Sequence, residues 1–118
     1  MRLIQPWLAA ALLTLAGVAQ AQTSPQAELL AEGHGLALTL CSVCHVAAAD
    51  QTGTPVMSNP GPPFRDIANR PEITPAALDT FLRIAHASTF PPFTMPTPHL
   101  SDRQINAMIA YILSLRRH

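Results

Sequence analysis

Apolar positions along this chain fall into four blocks with different spacing. Residues 7–18 form a nearly continuous apolar run, whereas the second block, residues 27–40, recurs at helical spacing and runs on into Cys41. The third opens on Thr74 as N-cap with Pro75 at the first helical position, carries Leu78, Phe81, Leu82 and Ala85 as its stripe, and is expected to end near residues 86–88. The fourth begins with a capping box, Ser101 to Gln104, and places Ile105, Met108, Ile109, Ile112 and Leu115 on one face. Arg116 and Arg117 then close this helix with the sign that suits a carboxyl end.

Between the blocks lie proline-rich stretches. Residues 50–71 contain Pro55, Pro60, Pro62, Pro63 and Pro71 together with Gly53 and Gly61, a density that leaves room for neither a regular helix nor a central strand. A loop of that length inside a small domain is expected to be functional or wrapped around something. Residues 90–100 hold four more prolines, Pro91, Pro92, Pro96 and Pro98. No useful length alternates at period two and no internal repeat is present, so the expected fold is all-α, three or more helices joined by proline-rich loops. Gly33 and Gly35 interrupt the second block, which predicts either a close helix contact or a tolerated irregularity.

The apolar run near the start changes the picture of where the chain works. Arg2 precedes it and Ala19-Gln20-Ala21 follows with a small-x-small pattern, so residues 1–21 read as a cleaved signal peptide and residues 22–118 as one mature domain. The run is short for a membrane span and no cysteine sits at the cut to take a lipid, so no membrane anchor is expected after cleavage. A domain of this size buries little apolar surface, and a bulky apolar cofactor in its core would supply the missing stability.

Charge excludes one class of partner. The seven basic residues are all arginines, balanced by seven acidic ones, and no basic stripe exists to neutralise a row of phosphates. Nucleic acid is therefore not an expected partner, and a lysine-ringed docking face is absent.

The chemistry concentrates in Leu40-Cys41-Ser42-Val43-Cys44-His45, which holds both cysteines of the chain. A thioredoxin-like redox pair needs a strand and a βαβ pattern around it, and structural zinc needs four ligands that the chain does not pair up. A histidine directly after C-x-x-C instead marks covalent haem attachment. On a helical turn Cys41 and Cys44 point the same way, so both sulfurs reach the two vinyl groups of one porphyrin, and His45 offers an imidazole nitrogen to the iron. One haem c bound through Cys41 and Cys44 is the expected cofactor, and the export signal agrees, since such haem is attached outside the cytoplasm.

With these residues in place, the mature sequence resembles the small soluble class I cytochromes c, mono-haem proteins of the periplasm. The likeness extends beyond the haem motif. Gly33, eight positions before Cys41, lies where the family packs its amino-terminal helix on its carboxyl-terminal one, and Tyr111 matches the aromatic at that crossing. Gly61-Pro62 matches the family's Gly-Pro, which implies that the Pro62 carbonyl accepts a hydrogen bond from the ring of His45. Arg70 matches an arginine that contacts a haem propionate in relatives, or else is a solvated loop charge.

Met95-Pro96 resembles the family's distal Met-Pro, which implies Met95 as sixth ligand and a raised reduction potential. His99 competes by proximity; Met57 comes too early in the chain order, and Met108 reads as packing on the last helix. His34 and His86 read as surface or hydrogen-bonded side chains, and Phe64, Phe81, Phe90 and Phe93 as a haem jacket. Trp7 leaves with the signal peptide, so a propionate that relatives hold through tryptophan needs another donor here.

The resemblance implies a periplasmic one-electron carrier, not an enzyme, working as a monomer between a redox protein donor and acceptor. Two rivals stand beside it: a haem subunit dedicated to a periplasmic dehydrogenase or oxidase, and a ligand-binding haem protein whose sixth ligand is labile. The prolines around Met95 argue for a stiff loop and against the second rival.

Overall fold

Ser24 starts the fold by accepting a hydrogen bond from the Ala27 amide at 3.2 Å, with Pro25 in the first helical turn. Helix α1 spans Pro25–Leu36, two positions ahead of the apolar pattern. The computed structural model describes residues 22–57, 59–84 and 95–117. Within them come a π turn at Ala37–Cys41, then α2 (Phe64–Ala68), α3 (Pro75–Arg83) and α4 (Asp102–Ser114). No strand occurs among the described residues, as the all-α expectation requires.

The crossing of α1 on α4 organises the molecule, and Gly33 decides how close it is. A Cβ at Gly33 would collide with the Ala107 carbonyl and come within 2.6 Å of the Tyr111 Cβ, so only hydrogen fits between the two backbones. Gly35 faces open space, so of the two glycines one makes the contact and the other is tolerated. Ala37, Ile105, Ala107, Met108, Tyr111 and Ile112 are buried around this crossing. Met108 is 1% exposed, which makes it packing as expected.

The pattern and the structure differ at four places. The π turn widens the end of the first helix, where Thr39 Oγ1 donates to the Gly35 carbonyl at 2.9 Å and Ser42 Oγ to that of Leu38 at 2.6 Å. Such back-bonding satisfies carbonyls that the wider turn leaves short of amide donors. Helix α2 lies inside the proline-rich loop, because Pro63 stands just before it, where a missing N–H costs no helical bond.

Helix α3 ends at Arg83, short of residues 86–88: Ile84 adopts extended backbone (ψ 137°), and Ala85 and His86 lie outside the described residues. Of its stripe, Leu78 and Leu82 are buried, while Phe81 is half exposed. Arg116 and Arg117 lie beyond the last turn of α4. Arg116 donates to the carbonyls of Ala68 (3.0 Å) and Ile73, and the Arg117 amide to Asn69 Oδ1 (3.0 Å), which pins the carboxyl end onto the α2–α3 connection.

Candidate functional site

The site is built on one helical turn. The Cys41 carbonyl accepts from the amides of Cys44 (3.1 Å) and His45 (2.9 Å), so the two thiols and the imidazole share a turn at the end of the π segment. Burial, with the neighbouring Cys44 thiol as a lesser cause, pushes the Cys41 thiol up to about 11. Leu40, Val43 and Val46 leave about half their surface exposed around these residues, an apolar collar beside the sulfurs.

The chain after the turn folds back on it through three backbone rungs. Gly61 donates to the Cys44 carbonyl at 2.7 Å, Phe64 to that of Val46 at 3.0 Å and Val56 to that of Val43 at 3.1 Å. Gln51 stitches the interior of the loop, its Oε1 accepting from the Ala47 amide at 2.8 Å and its Nε2 facing the carbonyls of Ser42 and Gly53. Tyr111 donates from its hydroxyl to the Ala47 carbonyl at 3.0 Å, tying the loop to α4.

These contacts fix the buried His45 in position and in tautomer. Its Nδ1 lies 2.7 Å from the Pro62 carbonyl, which only accepts, so Nδ1 carries a proton and the lone pair of the neutral ring falls on Nε2. A Cβ on Gly61 would strike the ring, coming within 2.7 Å of Nδ1, so a glycine here lets the backbone lie flat on the imidazole. Phe64 packs on the ring with centroids 5.2 Å apart and planes tilted by 49°.

On the opposite chain segment, Met95 is half buried and packs against the core cluster. Its competitors differ in setting: Met57 is 40% exposed in the loop, and His99 is exposed with its backbone in the left-handed region (φ 47°). Arg70 is exposed on the turn after α2. Phe90 and Phe93 lie outside the described residues.

Among the described residues no group of three or more histidine, cysteine or acidic side chains is placed to hold a metal ion. A metal bound through His45 therefore needs most of its donors from elsewhere, which a porphyrin supplies through its four nitrogens. Two thiols on the same turn and an imidazole with Nε2 available suit such a group.

The comparisons with known proteins point to the same cofactor. The family model for cytochrome c matches residues 30–116, from within α1 to just beyond α4. The chain belongs to the cytochrome c family. It is 36% identical over 101 residues to cytochrome c-552 of Bradyrhizobium diazoefficiens, covering 84% of this chain and 88% of that protein. No solved structure is matched.

As a cytochrome c the chain carries haem c, attached covalently through Cys41 and Cys44, and serves electron transfer in place of catalysis. No helix among the described residues is long and apolar enough to cross a membrane.

Sequence reasoning found the two haem-bearing cysteines and missed much of what supports their turn. Gln51 left no signal, since a glutamine in a polar loop is ordinary. The pair of His34 Nε2 with Asp50 Oδ1 (2.7 Å), beside Tyr111, was legible only as a hydrogen-bonded histidine without its partner. Asp50 is held below the usual carboxylate range, mainly by that hydrogen bond.

Proposed function

We propose that this cytochrome c is an exported periplasmic carrier of single electrons, with residues 1–21 removed as a signal peptide, residues 22–118 forming the haem domain, and His45 and Met95 as axial ligands. The observation that carries the ligand assignment is the bond between His45 Nδ1 and the Pro62 carbonyl. It selects the tautomer with Nε2 free, holds the ring against rotation and makes the imidazole a stronger donor. Met95 is the partner because it is half buried against the core, whereas His99 is exposed and Met57 sits in the outer loop.

Haem c supplies the couple between Fe(II) and Fe(III). The protein's part is to hold both ligands in one arrangement as the charge changes, which keeps the reorganisation on electron transfer small. His45 does so through the rungs that fix its loop, and Phe64 keeps water from its ring. Arg70, exposed on the α2–α3 turn, is the candidate to pair with a propionate. With both axial positions filled, no site remains for a substrate, which favours a carrier working between donor and acceptor proteins over a haem protein that binds a ligand.

Visible spectroscopy of the oxidised holoprotein tests the assignment. The weak sulfur-to-iron charge-transfer band at the red end of the spectrum is expected and should vanish in Met95→Ala, while His99→Ala should retain it. A native protein that is high-spin in the ferric state, or whose ferrous form binds carbon monoxide readily, would overturn the carrier reading.

A further inference from the structure

Arg83 is the last residue of α3 and Asp102 the first of α4. One guanidinium joins them. Its Nε and Nη2 donate to the two carboxylate oxygens of Asp79 at 2.9 and 3.0 Å, and its Nη1 donates to Asp102 Oδ1 at 2.7 Å. Asp79 sits four positions before Arg83 on the same helix, so the two-oxygen fork sets the guanidinium plane before it reaches across. Asp102 lies in the first turn of α4, where the helix dipole favours its negative charge.

The two ends of this bridge are nineteen positions apart in sequence, and the connection between them, residues 84–101, carries Met95. Arg83 also borders the segment after that methionine. Together with Leu82, Thr97, His99, Leu100 and Ile105 it lines a cleft of about 270 Å³, so its side chain flanks the stretch leading from Met95 to the Ser101 cap. The bridge thus meets the Met95 connection at both of its ends.

We propose that Arg83 is a positioning residue for the Met95 sulfur: by clasping Asp79 and Asp102 it keeps the ends of the connection at the spacing in which Met95 reaches the iron. The inference rests on the reading of Met95 as axial ligand. Releasing the pair frees the stretch from Met95 to Ser101 from the end of α3, and each added arrangement of that stretch competes with the ligated one. Exposed ion pairs are individually weak, but a forked arginine shared by two carboxylates is a network with fixed geometry.

Exogenous imidazole, added to the oxidised holoprotein while the sulfur-to-iron band is followed, measures how readily Met95 is displaced. Arg83→Gln and Asp102→Asn should bind imidazole about three- to tenfold more tightly than wild type, and Arg83→Lys, which keeps the charge and loses the fork, should fall between. The difference should shrink in 1 M salt, roughly the concentration at which the screening length drops to about 3 Å.

Arg103→Gln is the control for a merely structural role. It breaks the surface pair with Glu32 (2.7 Å) that joins α4 to α1, and should lower the thermal midpoint while leaving imidazole affinity at the wild-type value. Wild-type affinity in Arg83→Gln, with the band present in the parent, overturns the clasp and spares the ligand assignment. Absence of the band in wild type overturns both.

Discussion

The two sides of the site are held by different physics. On the His45 side, the proposed ligand and most of its support lie within residues 41–64, where backbone amides, one proline carbonyl and a glycine with no room for a Cβ converge on a buried ring and Tyr111 adds one bond from α4. On the Met95 side, the described residues give apolar packing against the core and the clasp proposed between helix ends. Backbone hydrogen bonds are directional and largely insensitive to salt, whereas exposed charge pairs weaken with salt and tolerate rearrangement. The histidine side is therefore set by hydrogen bonds and close packing within one short stretch of chain, and the methionine side by how α3 and α4 come together.

That contrast is sharpest at Gly61. Gly61→Ala drives a methyl into the imidazole and forces apart either the ring or the rung from Gly61 to Cys44, so it should destabilise the holoprotein by about 3 kcal/mol. Guanidinium unfolding followed at the haem band measures this, and a loss under about 1 kcal/mol would mean that the histidine side yields as easily as the other. His99→Gly probes the methionine side with a smaller effect of opposite sign. A non-glycine residue at φ 47° is strained, so the substitution should stabilise by about 0.5 kcal/mol in the same assay, and a destabilised variant would show that the His99 side chain itself matters there.

The smallest effect is electrostatic. The Asp50 carboxyl is held below its ordinary range in the folded protein, so its contribution is present above the unfolded aspartate pKa and lost as pH falls through the lowered folded value. Acid unfolding of wild type should therefore be steeper than that of Asp50→Asn on the acid side of that range. Equal acid curves would detach His34 and Asp50 from the stability of the loop after His45.

Much of this was legible in the chain because it is encoded at short range. The capping box at Ser101 and Gln104 forms with both of its hydrogen bonds, at 2.9 and 3.3 Å, and Thr74 caps α3 at 3.1 Å, since a cap needs only residues three apart. The bond between Pro62 and His45 was foreseen through the resemblance to relatives. Short helix α2 was not, because proline density reads as helix-breaking unless the proline falls just ahead of the first turn. The early end of α3 was equally hidden: the apolar stripe continues to Ala85, while the chain leaves the helix at Ile84.

The sequence alone therefore determined the haem attachment at Cys41 and Cys44, the helical class and the caps, all set by neighbours a few positions apart. The resemblance pointed to Gly33 at the helix crossing, and only the tertiary structure gave the reason: a Cβ there would meet Ala107 and Tyr111, whereas Gly35 faces open space. The tertiary structure also turned Arg116 from a helix-end charge into a lock on the α2–α3 connection, 48 and 43 positions away. Arg83 belongs to the same class, its contact with Asp102 existing because Leu78 and Leu82 on α3 and Ile105 on α4 bury their faces in one core and bring the two helix ends together. Local hydrogen bonding and backbone sterics act through the chain, while such meetings depend on which apolar faces find each other, and no stretch of sequence contains both partners.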